Sequence, residues 1–320
     1  MSDLDRNSFQ QTISLLDYLK RHGWQPTRED GKEEVCGLCP LHRETEPSFY
    51  VNRRKQVFYC HGCQRGGGIV QLRRWLESSA PGCVNTDRAE LLEAAYRFYE
   101  QQLVRSPEAR VYLRQRGIQD PTVVEQMRIG YAPGACLRGY LWRQGYSCRA
   151  MLEAGLIGPQ GRDRLFGCLT FPLPEAMSLY GRSIDSGRWR HQFLRGPKGG
   201  LYGWMRAQTF SSVIVVEGLL DVAALWQAGF RQAVAALGSH LNPAQMAQLG
   251  EGPHRRVHIC FDADWNGSGQ RAARQLSRRL AGMDIEALLV DLPCGCDPAG
   301  WFAAGGLATD FQHLLESARP

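Results

Sequence analysis

The stretch Val257–Ala272, VHICFDADWNGSGQRA, decides how the C-terminal part of the chain is built. An apolar run of strand length ends in two aspartates, Asp262 and Asp264, and a glycine-bearing turn leads on into a helix pattern. Two like charges at the end of a buried strand repel each other unless something positive sits between them, and a divalent cation meets that need. Upstream, SSVIVVEGLLDVAALWQAGF (211–230) has the same form: an apolar run closes on Glu217 and Gly218, and Asp221 follows one helical turn later. AVAALG (233–238) is a further short apolar run. Apolar strands alternating with helices predict a parallel sheet covered on both faces. The C-terminal ends of such strands gather along one edge, where ligands bind, so Glu217, Asp262 and Asp264 are expected to converge. Three carboxylates in one crevice suit magnesium or manganese, which prefer oxygen ligands and keep waters that a phosphate can displace. Any one of these acids alone reads as a helix cap or a solvated strand end; three together, each ending an apolar run, read as a site. Gly218 and Gly267 are placed to let backbone approach it closely.

Working outward, the segment CGLCPLHRETEPSFYVNRRKQVFYCHGCQRGGG (36–68) carries a second kind of chemistry. Two knuckles, Cys39-x2-His42 and Cys60-x2-Cys63, flank a loop able to form a hairpin. One nitrogen and three sulfurs are a tetrahedral set that structural zinc favours, and four protein ligands leave no open position for catalysis. The spacing also allows Cys36-x2-Cys39 with Cys60-x2-Cys63, a four-cysteine site without His42, but Cys36 is the residue left out of the expected set. Between the knuckles, aromatic residues alternate with Arg53, Arg54 and Lys55, a composition that stacks bases and holds phosphates.

The remaining composition sets bounds. A chain of 320 residues has room for two or three domains, and no apolar run is long enough to cross a membrane. The polar, acid-bearing start MSDLDRNSFQQTISLL does not read as a signal peptide. Eleven cysteines without an export signal point to a reducing cytosol, where clustered cysteines bind metal more often than they form disulfides. The net charge of +6 is mild, but only Lys20, Lys32, Lys55 and Lys198 are lysines; arginine, the better bidentate phosphate ligand, supplies the rest. A high-GC genome gives the same bias. The blocks expected are a Cys/His-rich domain over 1–77, a linker over 78–87 (SSAPGCVNTD), a helix-then-strand block over 88–205, an acidic strand–helix domain over 206–302 and a tail over 303–320. Asp87 is placed to cap the helix that opens the third block.

These residues also carry a family resemblance. CPLHRETEPSF and FYCHGC resemble the zinc ribbon of bacterial DNA primases, and YLRQRGIQDPTVVEQMRIGYAPG (112–134) resembles the helical start of their RNA-polymerase domain. DRLFGCLTFPLP and LYGRSI are similar to that domain's basic strand region. VVEGLLDV, FDADWNG and LPCGCDP are similar, in order, to the three acidic motifs of a Toprim domain. The resemblance covers about residues 10 to 302 and implies an α/β multidomain chain: zinc ribbon, mixed α/β middle region, and Toprim domain with a parallel-sheet core. It implies that Glu217, Asp262 and Asp264 hold magnesium, with Asp221 and Asp297 as secondary acids. It further implies that Arg116, Arg164 and Arg182 contact template or nucleotide.

The chain departs from the family pattern at several points. Phe166 and Cys168 stand where further arginines are usual, and Arg195 and Lys198 are the nearby replacements in a shortened later segment. The third motif reads Asp-Pro-Ala, ending at Ala299 instead of an aspartate, and the chain stops soon after. No P-loop occurs, which excludes a fused helicase. The pattern is closest to compact primases of plasmids, phages and other mobile elements. The function expected is a cytoplasmic DNA primase that makes short RNA primers from NTPs on single-stranded DNA. It would use structural zinc and catalytic magnesium or manganese, with a separate replicative helicase as partner and no membrane. A Toprim-type nuclease and a non-catalytic single-strand-binding module are the rival readings.

Overall fold

The computed structural model describes residues 14–28, 33–42, 44–78, 87–134, 136–173, 177–185, 191–251 and 256–320. Most of the 78–87 linker expected from sequence lies outside them, as does the start of the chain. The described chain divides into two compact units: one takes in the segment up to Phe98 together with Ala132–Phe166, the other Tyr99–Tyr131 together with Gly167–Pro320.

In the first unit, helix α1 (Leu15–Arg21) precedes an antiparallel sheet of β1 (Glu34–Gly37), β2 (Phe49–Asn52), β3 (Val57–Cys60) and β4 (Gly66–Gly67), followed by α2 (Ile69–Ser78). Side chains alternate across a strand. Phe49, Val51, Phe58 and Cys60 therefore turn into a core with Leu15, Leu19, Trp24 and Leu72, while Tyr50 and Tyr59 turn outward. The β2–β3 hairpin expected between the knuckles is present, with Tyr50 directly opposite Tyr59.

The middle of the chain is mostly helical: α3 (Arg88–Arg105), α4 (Pro107–Gln115), α5 (Pro121–Gln126), the short β5 (Gly130–Ala132), α6 (Leu137–Arg143) and α7 (Cys148–Glu153). Asp87 caps α3, its Oδ1 accepting the Ala89 N–H at 3.0 Å. A sheet in the order β5-β6-β7-β8 follows, from β6 (Cys168–Leu173), β7 (Ser178–Ser183) and β8 (His191–Phe193). Every residue of β6 is buried, so this strand presents no charged surface. A single turn of helix, α8 (Trp204–Ala207), leads to the last block.

There the strands β9 (Ser212–Val216), β10 (Ala233–Ala235), β11 (Arg256–Ile259) and β12 (Glu286–Leu289) form an all-parallel sheet in the order β10-β9-β11-β12. Helices α9 (Leu219–Gln227), α10 (Pro243–Glu251) and α11 (Ser268–Ala281) connect them, and α12 (Pro298–Ala303) and α13 (Ala308–Glu316) follow. Alternation sorts the apolar strand residues between two layers. Ile214, Val216, Ala233 and Ala235 pack with α9 and with Phe311 and Leu315 of α13. Val213, Val215, Val234, Val257 and Ile259 pack with Met246 and Leu249 of α10 and with Leu276 and Leu280 of α11. The doubly covered parallel sheet expected from the apolar runs is thus what forms. The 303–320 tail is folded too: α13 seals one layer, and Leu289 and Arg319 bridge beyond it.

Candidate metal centres and nucleic-acid interface

The cysteine–histidine centre is assembled by the hairpin. Cys39, His42, Cys60 and Cys63 each aim one ligand atom at a common point, and these atoms all lie within 4.8 Å of one another. Cys39 Sγ stands 3.9 Å from Cys63 Sγ, and Cys60 Sγ 3.8 Å from His42 Nδ1. Tetrahedral zinc with Zn–S bonds of ~2.3 Å requires ligand separations of about 3.8 Å, so the set fits the ion. Cys36 is not part of it: its thiol is buried on β1 and donates to the Pro47 carbonyl at 3.7 Å. The four-cysteine register left open by the spacing is therefore not the one that assembles.

A residue that sequence reading missed organises this centre. Glu44 accepts from the backbone N–H of Cys39 at 2.5 Å, the backbone N–H of Ser48 at 3.1 Å and the Ser48 hydroxyl, and lies 3.1 Å from His42 Nε2. With Nε2–H directed at that carboxylate, Nδ1 is left as the lone-pair nitrogen a metal requires. The signal was an acid two residues beyond a histidine ligand.

On the outer face of the hairpin, Tyr50 and Tyr59 are exposed and His61 lies edge-on to both rings, at 5.3 and 5.0 Å. Lys55 is exposed on the hairpin turn. Arg53 departs from the expected phosphate-facing surface: it is half-buried, with a fully buried Nε. Arg54 pairs with Glu33 at 3.5 Å.

The acidic centre lies in the second unit. β9 and β11 are neighbours, but β9 connects onward to β10 on its other side, which makes the gap between them the switch point of the sheet. Glu217 follows β9 and Asp262 follows β11, and the Asp262 N–H donates to Glu217 Oε1 at 3.2 Å. Asp262 Oδ1 is buried with no hydrogen-bond partner among the described residues. Burial, then the nearby charges of Glu217, Asp297 and Asp264, push the Asp262 carboxyl up to about 7. Burial raises Glu217 as well. An acid this crowded, with an orphaned oxygen, fits a divalent cation. Asp264 is exposed, and its Oδ2 accepts from the Ser268 hydroxyl at 2.8 Å.

Asp221 lies deeper in the fold. It is buried and accepts from the Gly218 N–H and the Ala299 N–H, both at 3.1 Å, so it ties the first acidic motif to the third. Burial and the charges of Asp297 and Asp262 raise its carboxyl strongly. Asp297 caps α12 through the Gly300 N–H and lies 3.8 Å from Arg116 Nη1. Ala299, in the place of the third acid, is fully buried.

Gly267 is left-handed at φ 69°, as its turn requires, but the closest approach is at Gly269, which sequence reading passed over. A Cβ at Gly269 would sit 2.0 Å from the Asp262 carbonyl oxygen. Only glycine lets α11 start against this acidic strand end.

Arg182 on β7 donates to the Tyr112 hydroxyl at 3.4 Å and meets His191 Nε2 at 2.8 Å, forms no ion pair among the described residues, and lies close enough to Asp262 to oppose its upward shift. Lys198 donates to the Leu237 carbonyl at 3.0 Å, one residue before Gly238, whose N–H is bonded to the Glu217 carbonyl. Arg195 is exposed in the same loop. Arg164 belongs to the first unit, on an exposed turn, and the buried Cys168 that replaces a basic residue presents nothing outward.

Residues 7–79 match the CHC2 zinc-finger family and residues 211–289 the Toprim domain. The DNA primase of Deinococcus radiodurans is 30% identical over 318 residues, covering 86% of this chain and 54% of the relative. The chain is a relative of the bacterial-type DNA primases. It spans about half the length of the curated primases it matches. Among solved structures, the zinc-binding and RNA-polymerase domains of the Aquifex aeolicus primase share its fold, with a TM-score of 0.64 at 24% identity over 96% of this chain and 84% of that one. A primase catalytic domain bound to single-stranded DNA aligns at 26% identity and a TM-score of 0.60, covering 73% of this chain and 81% of that one. The CHC2 finger and its closed ligand set make zinc the ion of the first centre, and the Toprim domain implies magnesium or manganese at the second. No described helix is long and apolar enough to cross a membrane.

Proposed function

We propose that this chain is a DNA primase that joins ribonucleotides into short primers on single-stranded DNA. The observation that carries the reading is the Asp262 carboxylate, one oxygen of which is buried and unpartnered, beside Glu217 at the switch point, with the ion-pair-free Arg182 close by. Magnesium or manganese held there by Glu217, Asp262 and Asp264 would lower the charge on the reacting phosphates and orient a 3′-hydroxyl for attack on the α-phosphate of an NTP. Arg182, held by neutral partners, keeps its full charge for the triphosphate. Lys198, tethered next to the Glu217 loop, and Arg195 are the further cations of this edge. Arg116 stacks on Tyr112 at 5.5 Å and steadies Asp297. Asp221 holds the first and third motifs together and adds its carboxylate to the acidic centre.

The outward Tyr50–Tyr59–His61 surface and Lys55 support template binding by the ribbon, through base stacking and phosphate contact. Arg164 serves the template from its own unit in this reading. A helicase on a separate chain is the partner implied, since the substrate is unwound DNA. The test is incubation with circular single-stranded DNA, labelled NTPs and magnesium or manganese, followed by a denaturing gel. NTP-dependent short products are expected, and Arg182→Ala should abolish them while sparing single-strand binding. Shortening of labelled DNA without NTPs, and no NTP-dependent product, would replace this reading with the nuclease one.

A further inference from the structure

Trp265 is 85% exposed, more than any other large hydrophobic side chain among the described residues, and it follows directly on Asp264. Its loop is held on every side. Gly267 N–H donates to the Asp264 carbonyl at 2.9 Å, and the Ser268 N–H to Asn266 Oδ1 at 2.8 Å. Arg271 Nη1 donates to the Asn266 carbonyl at 2.8 Å. The indole is docked against the backbone of Gly295: a Cβ there would stand 2.9 Å from Trp265 Nε1. That loop is in turn bonded to the Trp265 strand end, with Ala263 N–H donating to the Cys296 carbonyl at 2.9 Å and Gly295 N–H to the Ala263 carbonyl at 2.6 Å. The loop is thus held by the protein, with the ring beside Gly295 and otherwise bare to water, which is the state of an unfilled stacking platform.

A second observation extends from the same point. Helix α11 starts three residues later and buries Ala272, Ala273, Leu276 and Leu280. Arg271, Arg274 and Arg278 are exposed, at i, i+3 and i+7, so they form one ridge about 10 Å long at ~1.5 Å per residue. Arg274 and Arg278 make no side-chain ion pair or hydrogen bond among the described residues. A bare indole at the head of a ridge of exposed arginines, two of them unpaired, matches a single strand: a base on the ring and successive phosphates along the helix.

We propose that Trp265 and the arginine ridge of α11 form a track for a single nucleic-acid strand entering or leaving the acidic centre, with one unpaired base stacked on Trp265. The inference rests on the reading of that centre as a nucleic-acid site. A lone nucleotide would use the ring but not the ridge, so the ridge selects the strand.

The test measures binding of an oligothymidylate and of an abasic strand of the same length to the full chain, with no NTP present. Tyr50→Ala/Tyr59→Ala is used as background so that the ribbon contributes no stacking. Trp265→Ala should weaken oligothymidylate about 5- to 150-fold and leave the abasic strand unchanged, and Trp265→Phe should recover most of the loss. Arg274→Ala/Arg278→Ala should flatten the salt slope for both strands by about 1.4. Unchanged oligothymidylate affinity in Trp265→Ala, or an equal loss on the abasic strand, would overturn the track. Primer synthesis by the wild-type chain is scored separately, so failure of the track and failure of the primase reading give different results.

Discussion

In the ribbon, four ligand atoms stand within 4.8 Å of one another and the histidine tautomer is fixed by Glu44, whereas at the strand ends the carboxylates stand more openly and one oxygen of Asp262 is buried without a partner. The first centre is saturated by protein ligands and holds two knuckles of a small sheet together. The second keeps like charges together at the end of a packed core, at a cost to stability that a cation relieves. A closed site spends metal binding on folding; an open one keeps positions for water and phosphate. On the proposed reading the same chain uses one metal as a staple and offers the other to a substrate.

The sharpest way to break this contrast is to remove a ribbon ligand. Cys60→Ser should abolish stoichiometric zinc and melt the ribbon while the parallel sheet stays folded, because structural zinc supplies ~10 kcal/mol or more to such domains. Zinc content by atomic absorption and two-step thermal unfolding check this. Full zinc occupancy in a Cys39/Cys60 double variant would remove the assignment.

A smaller effect is expected where the acidic strand meets its helix. Gly269→Ala should destabilise the second unit by about 1–3 kcal/mol, since the new methyl meets the Asp262 carbonyl and α11 must shift. Denaturant titration measures it, and a neutral or stabilising result would show that the helix start is not tightly docked. Glu44→Gln should keep the ribbon folded but lower zinc affinity about 10- to 100-fold, read by competition with a chelator.

The mildest effect is one of pH. Asp262 is raised to about 7 from an ordinary 3.8, so the folded protein holds a proton that the unfolded chain releases. Stability from this group is fully present below about pH 4 and is lost as pH rises through about 7. Without divalent metal the melting temperature should fall across that window. Magnesium competes with the same proton, so its stabilising shift should grow as pH rises through 7. Asp262→Asn should flatten both dependences and raise metal-free stability by ~1 kcal/mol. A magnesium shift independent of pH would contradict the site.

The parts of this plan that were legible in the sequence are those written in local pattern. Apolar runs closing on Glu217 and Asp262 announced a parallel sheet, and paired x2 spacings announced the zinc ligands. What was not legible depends on approach between distant segments. Asp221 reads only as a secondary acid of the site, and its bond from the Ala299 N–H, which ties the first motif to the third, is seen only in the fold. Gly269 reads as an ordinary helix residue until the Asp262 carbonyl is found where its side chain would be. Arg53 reads like its neighbours Arg54 and Lys55, yet the hairpin turn half-buries it alone of the three. The choice of His42 over Cys36 was undetermined by spacing and is settled by which of them faces Cys60.

The most direct test of the two-centre account strips the full chain briefly with EDTA, removes the chelator by gel filtration, counts zinc, and assays primer synthesis before and after adding magnesium. The account expects one zinc retained per chain, no primers without added metal, and synthesis restored by magnesium alone. Loss of zinc in the same brief step, or primer synthesis without added divalent metal, would contradict it.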